Sequence, residues 1–152
     1  MKGLIILLGG SFRKGSQGNN SVGLSNTYDE QMKGFMSQIN LCKHLHTKYN
    51  IDCHIGITTY STVYDADVIN LFKKQDINIL FSIFNKKKHL GFRCLLQQSI
   101  QSIDKIDKYN FTLFVRIDLY LKEEFLKVFN PLHPNIQFPF ICWKSGSIKI
   151  SG

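Results

Sequence analysis

Leu4 to Leu8 is an unbroken apolar run closed by Gly9-Gly10, the pattern of a strand buried on both faces. A polar stretch rich in Gly, Ser and Asn follows, from Ser11 to Asn26. Thr27-Tyr-Asp-Glu30 then matches a capping box. Behind it, Met32, Phe35, Met36, Ile39, Cys42, Leu45 and Tyr49 recur at three- and four-residue spacing and predict an amphipathic helix. Ile51 to Tyr60 alternates, with Cys53, Ile55 and Ile57 on one face, as a second strand would. Asp65 to Lys74 reads as a short helix turning Val68, Leu71 and Phe72 inward, and Ile77 to Phe84 as a third strand. A second helical stripe of Phe92, Leu95, Leu96, Ser99, Ile103 and Ile106 covers Leu90 to Tyr109. Strand Phe111 to Asp118, a short helix from Lys122 to Phe129 and a last strand around Ile136 to Trp143 complete the order.

That order, β-α-β-α-β-α-β with a short β-rich tail, predicts an α/β, Rossmann-like doubly wound sheet with mostly parallel strands. A length of 152 residues suits one domain. The tail from Lys144 to Gly152 carries no terminating helix, so the expectation is a truncated or incomplete unit.

The segment Phe111-Thr-Leu-Phe-Val-Arg-Ile-Asp118 carries the most chemistry. With a period of two, Phe114, Arg116 and Asp118 share one side of the strand and Leu113, Val115 and Ile117 the other. Ligands of such sheets bind at the carboxyl ends of the strands, where this Arg and Asp arrive together. A structural ion pair at a strand end is the competing reading.

Composition narrows the partners. Nineteen basic residues against 11 acidic give a net charge of +8, which suits an anionic ligand and says nothing about fold. The four cysteines are scattered, with no C-x-x-C, so buried free thiols in a reducing compartment are expected, with neither zinc nor a disulfide framework. The apolar run after Lys2 is short and lacks a cleavage site, and no stretch is long enough to span a membrane. A cytoplasmic, soluble protein is the expectation. Lys86-Lys-Lys-His89 reads as a solvated surface, and the aromatics follow core periodicity, so no specific nucleic-acid partner is expected.

Three readings compete for the first βα connection, Gly9-Gly-Ser-Phe-Arg-Lys-Gly-Ser16. A Walker A loop needs Lys after its second Gly, and here Lys14 precedes Gly15, so that reading fails. Gly10 to Ser16 resembles the G-S-x-R-x-x-S phosphate loop of flavodoxin-like NAD(P)H-dependent FMN reductases. That loop uses the positive end of a helix starting at once, whereas the capping signal here waits until Thr27. In the third reading Arg13 grips a diphosphate or stacks on a base.

Taken together, the Gly9–Gly18 loop, Tyr28-Asp-Glu-Gln31 and Arg116-Ile-Asp-Leu-Tyr-Leu-Lys122 resemble the GT-A-type (Rossmann-like) glycosyltransferases found in large DNA viruses of algae and protists. More distantly they resemble transferases with an R-x-D-L motif at the usual D-x-D position. The resemblance implies sugar transfer from a nucleotide-diphosphate donor to a glycan or protein acceptor, in the host cytoplasm for a viral protein. It implies donor contacts from Gly10, Ser11, Arg13, Arg93, Gln97, Arg116 and Asp118. It also implies a divalent cation, Mn or Mg, with Asp118 as the ligand, although Arg116 in place of the first Asp puts metal dependence in question. No catalytic residue is assigned, and the acceptor half is expected to be incomplete. The alternatives are the FMN reductase and a non-enzymatic anion-binding α/β protein.

A literal D-x-D at Asp65-Ala-Asp67 precedes a helical stripe, where carboxylates at a helix start serve as caps without any ligand. His44 and His46, two apart on a helix, diverge and are not paired ligands; His54 on its strand belongs to packing.

Overall fold

A computed structural model describes residues 1–12, 27–86 and 90–133. Four strands, β1 (Lys2–Gly9), β2 (Asp52–Tyr60), β3 (Asn78–Asn85) and β4 (Phe111–Arg116), form one sheet in the order β3-β2-β1-β4. Every pairing is parallel. The helices α1 (Tyr28–Tyr49), α2 (Asp65–Lys74), α3 (Phe92–Gln101) and α4 (Glu123–Val128) alternate with them. This is the doubly wound α/β arrangement that the alternation of patterns predicts.

Each face of the sheet has its own core. Ile5, Leu7, Cys53, Ile55, Ile57, Leu113, Val115 and Ile117 share one with Phe35, Ile39, Cys42 and Leu45 of α1, Val68 and Phe72 of α2, and Phe125 of α4. Leu4, Ile6 and Leu8 share the other with Leu95 of α3. Full burial of such side chains stabilises by about 1.5–3 kcal/mol each. The unbroken apolar run of β1 follows from its central place between both cores. Phe114 and Arg116 emerge on the uncovered side of β4, as the period of two requires.

The strand order fixes the geometry of any ligand crevice. Successive strands step from β1 to β3 in one direction, and the chain then crosses back to place β4 on the other side of β1. The strand order therefore reverses between β1 and β4, which is the topological switch point of an open α/β sheet. A flavodoxin-like sheet has the order 2-1-3-4-5, with β1 between β2 and β3. Here β4 takes the place beside β1, so the flavin-reductase alternative loses its topological basis.

Two local expectations are revised. Thr27 precedes α1 but makes no side-chain cap bond, because its backbone (φ −110°, ψ 2°) is outside the extended region a capping residue uses. The Leu90–Tyr109 stripe is helical only to Gln101, with a separate 3-10 turn at Ile106–Lys108. Ser102 Oγ donates to the Gln98 carbonyl at 2.9 Å where α3 ends, while Ile103 and Tyr109 still pack on the α3-side core. The last predicted strand, Ile136 to Trp143, lies outside the described residues.

Candidate functional site

At the carboxyl end of β1 the backbone turns sharply. Gly9 has φ +117° and Phe12 φ +53°. A bulky residue in the left-handed region costs about 1–2 kcal/mol. The Phe12 ring compensates by complete burial among Tyr64 (centroids 4.7 Å), Tyr28 (5.7 Å) and Phe35 (6.2 Å). Its N–H donates to Gln31 Oε1 of α1 at 3.0 Å. Strained backbone that its surroundings hold in place is characteristic of ligand loops.

On the neighbouring strand Arg116 lies in register with Leu8, and Ile117 N–H donates to the Leu8 carbonyl at 2.8 Å. Arg116 and Asp118 thus stand beside the Gly9–Phe12 turn. Arg116 Nε donates to Asp118 Oδ1 at 3.1 Å and Nη2 to Oδ2 at 2.7 Å. The two side chains are 47% and 22% exposed, so the pair sits at the surface and within reach of a ligand.

Polar residues of α1 fix the chain that leaves β4. Gln31 Nε2 donates to the Ile117 carbonyl at 2.7 Å, and Gln38 Nε2 to the Leu119 carbonyl at 3.3 Å. Ser37 Oγ accepts the Leu121 N–H at 2.8 Å. Gly34 faces the same segment, where a Cβ would meet the Leu119 carbonyl oxygen at 3.4 Å, a contact that backbone can accommodate. All three polar side chains are buried. Gln31 also holds Phe12, so one side chain links both walls of the switch point. Of this group only Gln31 appeared in a sequence signature, and without a role.

The other strand ends are tied down as well. Thr59 Oγ1 donates to Ser11 Oγ at 3.3 Å. Asn85 and Gln98 form a reciprocal amide pair, 3.0 Å in each direction. Asp65 accepts from Ser61 Oγ and from the N–H and hydroxyl of Thr62, and Asp67 accepts from the Tyr28 hydroxyl. Both carboxylates of the literal D-x-D are thereby engaged, but with preceding or distant residues and not as caps of α2, which has no side-chain cap bond.

The nominated residues separate into groups. Arg116 and Asp118 meet at the surface. Gly10 and Ser11 reach the same edge but are buried, and the Ser11 hydroxyl serves Thr59. Arg93 and Gln97 are solvent-exposed on α3, and the neighbouring Gln98 makes the polar contact instead. Arg13 and residues 87–89 of the basic run lie outside the described residues.

The cation implied for Asp118 does not fit this donor set. Both carboxylate oxygens already accept N–H bonds from Arg116. Among the described residues no group of three or more His, Cys, Asp or Glu side chains could hold a metal ion. A divalent cation that bridges a phosphate donor still takes one or two protein carboxylates, and Asp118 offers one that already faces a guanidinium.

A cavity of about 600 Å³ opens at the opposite, amino-terminal edge, lined by Cys42, Lys43, His46, Asp52, Cys53 and His54 among others. Both of its histidines have polar partners. His46 Nδ1 lies 3.0 Å from Asp52 Oδ1, and His54 Nδ1 lies 3.0 Å from the Tyr109 hydroxyl. Burial, helped by the Lys2 charge, pushes the His54 pKa down against a weaker pull from Asp52. Contact with the Cys53 thiol and burial push the Cys42 thiol well up, which leaves it neutral and unreactive. Volume alone favours this cavity, but it lies away from the switch point, so the β1/β4 edge is the stronger candidate.

No helix among the described residues is long and apolar enough to cross a membrane. No family model matches the chain, and no curated protein or solved structure is detectably similar to it.

Proposed function

We propose that the chain is the donor-binding domain of a glycosyltransferase, taking a nucleotide-diphosphate sugar in the crevice between the ends of β1 and β4. The observation that carries this reading is Arg116, an exposed guanidinium presented at the switch point beside a strained glycine turn. A guanidinium favours phosphate oxygens through paired N–H bonds. The net charge of +8 draws an anionic donor toward the protein.

In the transfer, the bond between the anomeric carbon and the diphosphate oxygen breaks and the diphosphate leaves with the electron pair. An acceptor hydroxyl bonds the carbon and gives up its proton, which ends on the departing diphosphate or in water. Charge developing on the diphosphate is what Arg116 would stabilise. The acceptor in this reading is a glycan or protein hydroxyl.

A thermal-shift panel of UDP-, GDP- and dTDP-linked sugars tests the proposal, because a ligand selective for the native state raises its melting temperature by mass action. A shift with one nucleotide class supports it. No shift with any nucleotide rejects it. Binding without transfer to any hydroxyl acceptor would favour a non-enzymatic anion-binding protein.

A further inference from the structure

We infer that the site binds its diphosphate without a divalent cation, with Arg116 supplying the positive charge and Asp118 serving to aim it. The inference rests on the donor-site reading above and adds the nature of the charge that meets the phosphates.

The geometry of the pair carries the argument. A guanidinium has five N–H donors in one plane. Asp118 engages one on Nε and one on Nη2, which fixes that plane relative to β4. Three donors remain for an incoming anion, including both on Nη1. The carboxylate has the opposite standing, since each of its oxygens is already an acceptor in the pair. Each oxygen keeps a second lone-pair site. A cation placed there would bring its charge against the guanidinium and weaken the two charge-assisted bonds, which opposes metal binding.

The mounting of Asp118 supports the same division of labour. The carbonyls on either side of it, at Ile117 and Leu119, are held by Gln31 and Gln38 of α1. Leu119 N–H donates to the Arg116 carbonyl at 3.1 Å, closing a turn around the carboxylate. Asp118 therefore has little freedom to leave Arg116 and seek other partners. An Arg held this way loses less side-chain entropy when it binds an anion.

The test is titration calorimetry with UDP as the probe, in excess EDTA and again in manganese chloride, on the wild-type protein and two variants. Both substitutions fall on partly exposed side chains and leave the cores intact. The wild type is expected to bind UDP with the same affinity in both buffers. Arg116→Lys, which keeps the charge but loses the paired donors, should weaken binding on the order of tenfold in both. Asp118→Asn should weaken it by a smaller factor, equal in the two buffers. UDP binding that requires manganese, and loses that requirement's benefit in Asp118→Asn, would overturn the inference while leaving the donor site standing. No binding of UDP, or of GDP or dTDP put in its place, in either buffer would reject the donor site and this inference with it.

Discussion

Gln31 donates its side-chain amide to the Ile117 carbonyl at 2.7 Å, joining positions 86 residues apart. Its other end accepts the Phe12 N–H at 3.0 Å. Removing the amide takes the acceptor from the buried Phe12 N–H and leaves the Ile117 carbonyl with only the longer 3.5 Å bond from Gln38. Gln31→Leu should therefore destabilise on the order of 2 kcal/mol, read by urea denaturation. Gln31→Glu keeps the acceptor for Phe12 but sets a carboxylate against the Ile117 carbonyl. It should be unstable at neutral pH and recover in part in acid, once protonation restores a donor. Equal stability of Gln31→Leu and the wild type would show that the two walls are not held by this side chain.

Phe12 offers a second test, because its backbone and its ring pull in opposite directions. Its φ of +53° favours glycine, whereas its buried ring favours Phe. Both Phe12→Ala and Phe12→Gly lose the ring. The glycine variant should nevertheless be the more stable of the two by about 1 kcal/mol, the reverse of the usual order, because it relieves the left-handed strain. Thermal melts of the two proteins decide it.

Gly9 isolates the backbone effect. At φ +117° an added Cβ would meet Ile117 Cγ2 at an ordinary 3.8 Å, so space is available. Gly9→Ala should still cost about 1–3 kcal/mol, because the torsion and not the packing forbids a side chain. A neutral result in a chemical melt would mean that the turn relaxes freely.

His54 gives the fold a pH dependence of known sign. Its pKa is lowered in the folded state, by burial first and the Lys2 charge second. The unfolded chain then binds more protons around and below the ordinary histidine pKa of about 6.5. Stability contributed by neutral His54 is present above that value and is lost as pH falls through the lower folded pKa. Denaturation midpoints should fall between pH 7 and 5, and His54→Gln should flatten that slope. A slope unchanged by the substitution would remove His54 as its source.

Much of this architecture was legible in the residue pattern. The β1 run, the α1 stripe and the alternation of β4 each carry one period over enough residues to define an element, and their order dictates the parallel sheet. A period of two placed Arg116 on the open side of β4. The strand ends at Arg116 and not at Asp118, which meets Arg116 through a turn that the period does not describe. The Gln31, Ser37 and Gln38 clamp was not legible, because buried polar side chains that bond distant carbonyls leave no local periodicity. The capping box misled because its spacing says nothing of the backbone angles at Thr27. The helical stripe through Ile106 overran because a turn can deliver Ile103 and Tyr109 to the same core that a helix would reach.

Mapping UDP onto the amide spectrum of the ¹⁵N-labelled protein tests the central claim most directly, since the two edges of the sheet then report separately. The account predicts the largest shift changes at Gly10, Ser11, Phe12 and Arg116 to Leu119, around the switch point. Changes confined to Cys42–Thr47 and Asp52–His54, around the cavity at the opposite edge, would contradict it.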